Sequence, residues 1–138
     1  MRAKRILVVE GQGGRRQFLT AQLQALVPCE VVEAASGPEA LRLIVQEPMD
    51  LIVLAMQLPS LEGWDVVRRI RALPVPERDV PILGFTTHGR HDDGPKVLAA
   101  GCDDYIAHPE QEGSLLKSKV EQLLAVWERY RARRAGEE

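Results

Sequence analysis

The chain predicts an α/β fold, a doubly wound parallel sheet of five strands in one domain. Three observations carry this. Short apolar runs rich in branched residues alternate along the chain with stretches that have the apolar period of a helix. The runs lack strict in–out alternation, as strands buried on both faces do. Each run is followed by a helical stretch, the crossover that parallel strands need.

The first strand is "KRILVV", Lys4 to Val9, closed by a glycine cluster. Arg15 to Val27 then places Leu19, Leu23, Leu26 and Val27 on one helical stripe. "EVVEA", Glu30 to Ala34, is the second strand. Ser36 precedes Glu39 at capping-box spacing, with Pro38 acceptable in the first turn. The second helix carries Leu41, Leu43, Ile44 and Val45. Strand three is the apolar run Leu51 to Met56, and a third helix over Glu62 to Leu73 buries Val66, Val67 and Ile70. "PVPERDVP" is a proline-broken loop before strand four, "VPILGF". A short helix over Pro95 to Ala100 stops at Gly101. "DDYIA" is strand five. The last helix places Leu116, Val120, Leu123, Leu124 and Trp127 on one face.

At 138 residues the chain suits one compact domain, and 45% apolar with 28% charged residues suits a buried core. A net charge of −2 exerts no general pull toward nucleic acid or anionic membrane. Arg129, Arg131, Arg133 and Arg134 make only the tail basic, and four arginines without a recognition helix read bases poorly. No apolar run approaches the roughly 20 residues of a membrane span. No leader precedes the first strand, so a cytoplasmic location is expected. Cys29 and Cys102 lack a paired spacing and are expected as buried free thiols.

In open parallel sheets, ligands collect outside the carboxyl ends of the strands. That edge holds Glu10-Gly11, Ala55-Met56, Thr86-Thr87-His88 and His108-Pro109. Strand three thus presents Ala55, which carries no chemistry.

The order of elements, with "RILVVE", "DLIVLAMQLPSLEG", "VPILGFTT" and "AAGCDDYIAHP", resembles the receiver domain of bacterial response regulators from about Arg5 to Ala125. The resemblance implies a flavodoxin-like fold with strand order 2-1-3-4-5. It divides the chain into a receiver-like domain, 4–126, and a C-terminal helix extension with basic tail, 127–138. Receivers take a phosphoryl group from a histidine kinase onto an aspartate ending strand three. Two acidic residues after strand one help to hold magnesium. A threonine or serine after strand four contacts the phosphoryl group, and a lysine after strand five pairs with it.

By that resemblance the acceptor position is Ala55, the acidic pair is Glu10 and Gly11, the switch hydroxyl is Thr86 and the switch aromatic is Tyr105. The lysine position is His108, before a proline resembling the family's cis-proline. A methyl group forms no acyl phosphate. Magnesium prefers a near-octahedral shell of oxygens, and Glu10 alone anchors it poorly. Histidine, with an ordinary pKa of about 6.5, does not replace the standing charge of lysine. A single engineered change would explain Ala55 but not Gly11 or His108, so natural degeneration is the better account.

Three further signals stand beside this. "EGQGGRR" fails the dinucleotide fingerprint at Arg16 and reads as a turn, or, with Arg15 and Arg16, as an anion site at a helix start. His88 and His91 with Asp92 and Asp93 form a weak metal pattern; no metal and no cofactor are expected. Trp127 and Tyr130, spaced i, i+3, are either packing or an interface patch. The expected function is a phosphorylation-independent, non-enzymatic pseudo-receiver. It would bind a signalling partner or a second copy through the fourth helix, fifth strand and fifth helix. The alternative is a sensor of an anion or nucleotide in the vacated pocket.

Overall fold

The computed structural model describes residues 3–86 and 94–137. Five parallel strands, β1 (Lys4–Val9), β2 (Cys29–Ala34), β3 (Leu51–Ala55), β4 (Ile82–Thr86) and β5 (Asp104–Ala107), lie in the order β2-β1-β3-β4-β5. Between and after them run α1 (Gly13–Leu26), α2 (Gly37–Gln46), α3 (Gly63–Arg71), α4 (Gly94–Ala100) and α5 (Gly113–Glu137). Helix α1 packs against α5, while α2, α3 and α4 pack in succession.

The central strands explain the unbroken apolar runs. Every residue of β3 and β4 is buried, and Ile6 to Val9 of β1 are fully so. Full burial of such a side chain is worth about 1.5–3 kcal/mol, so these strands dominate the core. The outer strands β2 and β5 are only partly covered. The register pairs Val9 with Leu54 and Ala55 with Phe85, bringing the carboxyl ends of the strands to one edge.

Helix starts follow local chemistry. The Gly13-Gly14 pair, read from sequence as a turn, is the first turn of α1, because the Gln12 side chain accepts from the Arg15 N–H and caps it. Ser36 Oγ accepts from the Glu39 amide at 3.3 Å. The Glu39 carboxylate reaches back to the Ala35 amide at 3.0 Å, one residue before the usual capping-box partner. Helix α3 is shorter than expected, ending at Arg71. Arg71 instead ties the following loop together, donating to the carbonyls of Arg78, Val80 and Gly101 and to Asp103. That loop holds a cis peptide at Val75–Pro76 and a 3-10 turn at Glu77–Asp79. Gly101 ends α4 with φ of 122°, a backbone that suits glycine.

Helix α5 runs unbroken through the expected division at 126/127. Trp127 is buried in the core and stacks on Tyr130 at 5.0 Å between ring centroids. The Tyr130 hydroxyl donates to Asp79; that bond, then burial and the Asp79 charge, raises its pKa. For Trp127, then, packing within the chain is the observed role; Tyr130 is half-buried at the wall of a cleft of about 480 Å³. Among the described residues no helix is long and apolar enough to cross a membrane.

Candidate functional site

The site is the carboxyl edge of the sheet, and β1, β3, β4 and β5 deliver its residues. Beyond β1, Glu10 extends the ladder by one bond, its amide donating to the Ala34 carbonyl at 3.1 Å. The residue is 4% exposed. Burying a carboxylate without a counter-charge is costly, so the chain must supply one. It does so from the first turn of α1, where Arg15 Nε donates to Glu10 Oε1 at 3.0 Å. The Gln12 amide donates to the other oxygen at 3.4 Å, and Arg16 binds the Glu10 carbonyl at 2.9 Å.

Gly11 sits against the β3–α3 loop. A Cβ built there would lie 2.7 Å from Pro59 Cδ, so the place of a second carboxylate is closed by proline. β3 ends at Ala55, 4% exposed, whose carbonyl oxygen would lie 2.4 Å from a Cβ on Gly63. The loop after β3 also brings in Gln57, whose Oε1 accepts from the Thr86 hydroxyl at 3.0 Å. Thr86 ends β4 and is 4% exposed.

His108 follows β5, its amide donating to the Thr86 carbonyl at 2.8 Å. Its backbone is left-handed, with φ 54° and ψ 59°. His108 Nδ1 lies 3.6 Å from Glu110 Oε1, an ion pair only when the imidazole is protonated. The expectation of a cis bond before Pro109 is not met: the cis peptide among the described residues is the one before Pro76. The chain turns at His108 through its left-handed backbone instead. Tyr105 is half-buried in the middle of β5, in register with Gly84.

The edge thus gathers Glu10, Gly11, Ala55, Thr86 and His108 at the ends of neighbouring strands. Tyr105 lies inside β5, and Trp127 and Tyr130 belong to the last helix. Sequence reasoning missed Gln12, Gln57 and Pro59, whose roles depend on loop geometry. Its alternative to a plain turn made Arg15 and Arg16 an anion site. Both are turned to carboxylates, Arg15 to Glu10 and Arg16 to Glu33 at 2.9 Å. His88, His91, Asp92 and Asp93, with Thr87, lie outside the described residues. Among the described residues no group of three or more His, Cys, Asp or Glu is placed to hold a metal.

The family's magnesium does not fit this edge. A hard cation there would need carboxylate oxygens, and Ala55 and Gly11 offer none while Glu10 is already paired. Beside Arg15 a cleft of about 400 Å³ opens, walled by Gln12, Phe18, Leu19, Phe85 and Pro109. Burial pushes the thiol pKa of Cys102 up to about 12 and raises that of the half-buried Cys29. Both are free.

A doubly wound sheet of this order, with its site at the strand ends, has the flavodoxin-like architecture shared by CheY. The chain belongs to the response regulator receiver domain family, whose model matches residues 6–120. It is 35% identical over 121 residues to "Probable transcriptional regulator ycf27" of Cyanophora paradoxa, covering 88% of this chain and 48% of that protein. It is 36% identical over 99 residues to the transcriptional regulatory protein AfsQ1 of Streptomyces coelicolor, covering 72% of this chain and 42% of that one. The chain therefore spans less than half the length of these relatives. Among solved structures, a CheY-like receiver domain protein from Methanospirillum hungatei JF-1 superposes with a TM-score of 0.80 at 25% identity, covering 94% of this chain and 99% of that one.

Proposed function

We propose that this domain is a phosphorylation-independent signalling module, a pseudo-receiver that acts by protein–protein interaction in the cytoplasm, without enzymatic activity or cofactor. The observation that carries this reading is the end of β3, where the buried residue is Ala55 and its side chain is a methyl group. An acyl phosphate needs a carboxylate at that point. Driving a two-state domain from one side to the other takes about 5.5 kcal/mol of differential binding. With no phosphoryl group to provide it, a protein partner must.

The α4–β5–α5 face is the proposed docking surface for a signalling partner or a second copy. Leu98 and Leu115 are exposed there beside half-buried Tyr105, and Lys119 pairs with Asp104 at 2.9 Å. A reading as an anion or nucleotide sensor receives less support, because Arg15 and Arg16 are already held by Glu10 and Glu33.

Intact-mass spectrometry after incubation with acetyl phosphate and magnesium tests the first claim. An unchanged mass is expected, and a stable phosphoryl adduct would overturn it. Sedimentation and pull-down with Leu98→Glu and Leu115→Glu test the second. Loss of the captured partner or of the dimer is expected in both variants; full retention in both would move the interface elsewhere.

A further inference from the structure

The misfit between this edge and a divalent cation has a positive side. Glu10 is a carboxylate buried to 4% exposure, and its charge is met by a guanidinium of the same chain. Arg15 reaches it across one turn, fixed by the Gln12 cap at the helix start. On the opposite side of the edge, Thr86 gives its hydroxyl to the Gln57 amide oxygen. Gln57 belongs to the same β3–α3 loop that places Pro59 against Gly11.

We propose that the site is occupied from within. The Arg15 guanidinium is the resident cation of Glu10, and the Gln57 amide oxygen is the resident acceptor for Thr86, so unmodified side chains hold the tips of β1, β3 and β4 in one arrangement. This inference rests on the pseudo-receiver reading and adds the residues that make the state permanent. Arg15 and Gln57 are positioning residues: neither transfers anything; Arg15 meets the charge of buried Glu10, and Gln57 accepts from the hydroxyl of buried Thr86. The guanidinium brings its own positive charge, so this occupancy needs no free magnesium.

The test uses the full chain and its Arg15→Gln, Arg15→Lys, Arg16→Gln and Gln57→Ala variants. Thermal unfolding is followed in EDTA, in magnesium and in manganese. The parent is expected to unfold at one Tm in all three. Arg15→Gln is expected to lose roughly 5 °C in all three buffers, because buried Glu10 loses its counter-charge and the edge offers a cation no second carboxylate. Arg15→Lys should recover most of that loss. Arg16→Gln, whose partner Glu33 is more exposed, should lose less than Arg15→Gln. In amide NMR spectra, Gln57→Ala should shift or broaden Thr86 and Ala107, which are paired across β4 and β5, while leaving the β2 signals in place.

A parent protein stabilised by manganese would overturn the proposal. So would an Arg15→Gln variant as stable as the parent, or a Gln57→Ala variant whose Thr86 signal does not move. Each of these is separable from failure of the functional reading, which would appear as a phosphoryl adduct on the parent.

Discussion

Arg131, in the last turns of α5, donates from Nη1 to Oδ1 of Asp50 across 3.0 Å, and Asp50 is 1% exposed at the start of β3. The other oxygen of Asp50 accepts from the Arg5 amide at 2.8 Å. Half-exposed Arg131 is screened by water, so Arg131→Ala should cost about 1 kcal/mol. Asp50→Ala removes a buried acceptor as well and should cost about 2–3 kcal/mol. Urea unfolding of both variants reads the difference, and equal losses would show that the arginine carries the whole effect.

Gly63 opens α3 under the tip of β3. A Cβ there would lie 2.4 Å from the Ala55 carbonyl oxygen and 2.6 Å from Met56 Cα, both backbone atoms that have little room to move. Gly63→Ala should therefore destabilise by about 2 kcal/mol or more. A Cβ on Gly94 meets nothing within 4 Å, so Gly94→Ala should be near neutral. Chemical denaturation midpoints compare the two.

Restoring an acidic residue at position 11 is obstructed by Pro59, 2.7 Å from the built Cβ. Gly11→Asp alone should lose about 1–3 kcal/mol through this overlap. Combined with Pro59→Ala it should lose less than the two single changes add up to, a coupling of about 1 kcal/mol. Strict additivity in a double-mutant cycle would show that the loop does not confine the glycine.

Cys102 gives a dependence on alkaline pH. Its thiol keeps its proton up to about 12 when folded, against an ordinary 9.0, chiefly because it is buried. A raised folded value means that this contribution is complete below pH 9.0 and fades as pH climbs toward 12. The loss should approach about 1.4 kcal/mol per pH unit in that interval. Cys102→Ala should lower stability at neutral pH yet lose this slope, and urea titrations between pH 8 and 10 measure it. Other alkaline groups titrate in both proteins and cancel in the comparison. A difference that stays constant across pH would refute the assignment.

The fold was legible because its signals are periodic or local. Unbroken apolar runs marked β3 and β4, and Ser36, Glu39 and Gly101 marked helix ends that the structure keeps. The emptiness at Ala55 was visible in the residue itself. What fills the edge was not visible, because Gln57 and Pro59 act through a loop whose path depends on tertiary packing. The partner of Arg15 was hidden for the same reason. A sequence shows two adjacent arginines at a helix start but not the buried carboxylate five residues earlier that one of them turns to meet.

The clamp at the opposite end of the sheet has a mechanical meaning. Trp127 is inside the core, Arg131 grips Asp50, and Glu128 reaches Lys4 at 3.6 Å, so the final helix is bolted to the body of the domain as far as Arg131. At about 1.5 Å per residue, its 25 residues form a rigid spoke of about 37 Å. A dye attached at Arg133 would tumble at the pace of the whole particle, whereas cutting the Asp50 rivet would let it wobble.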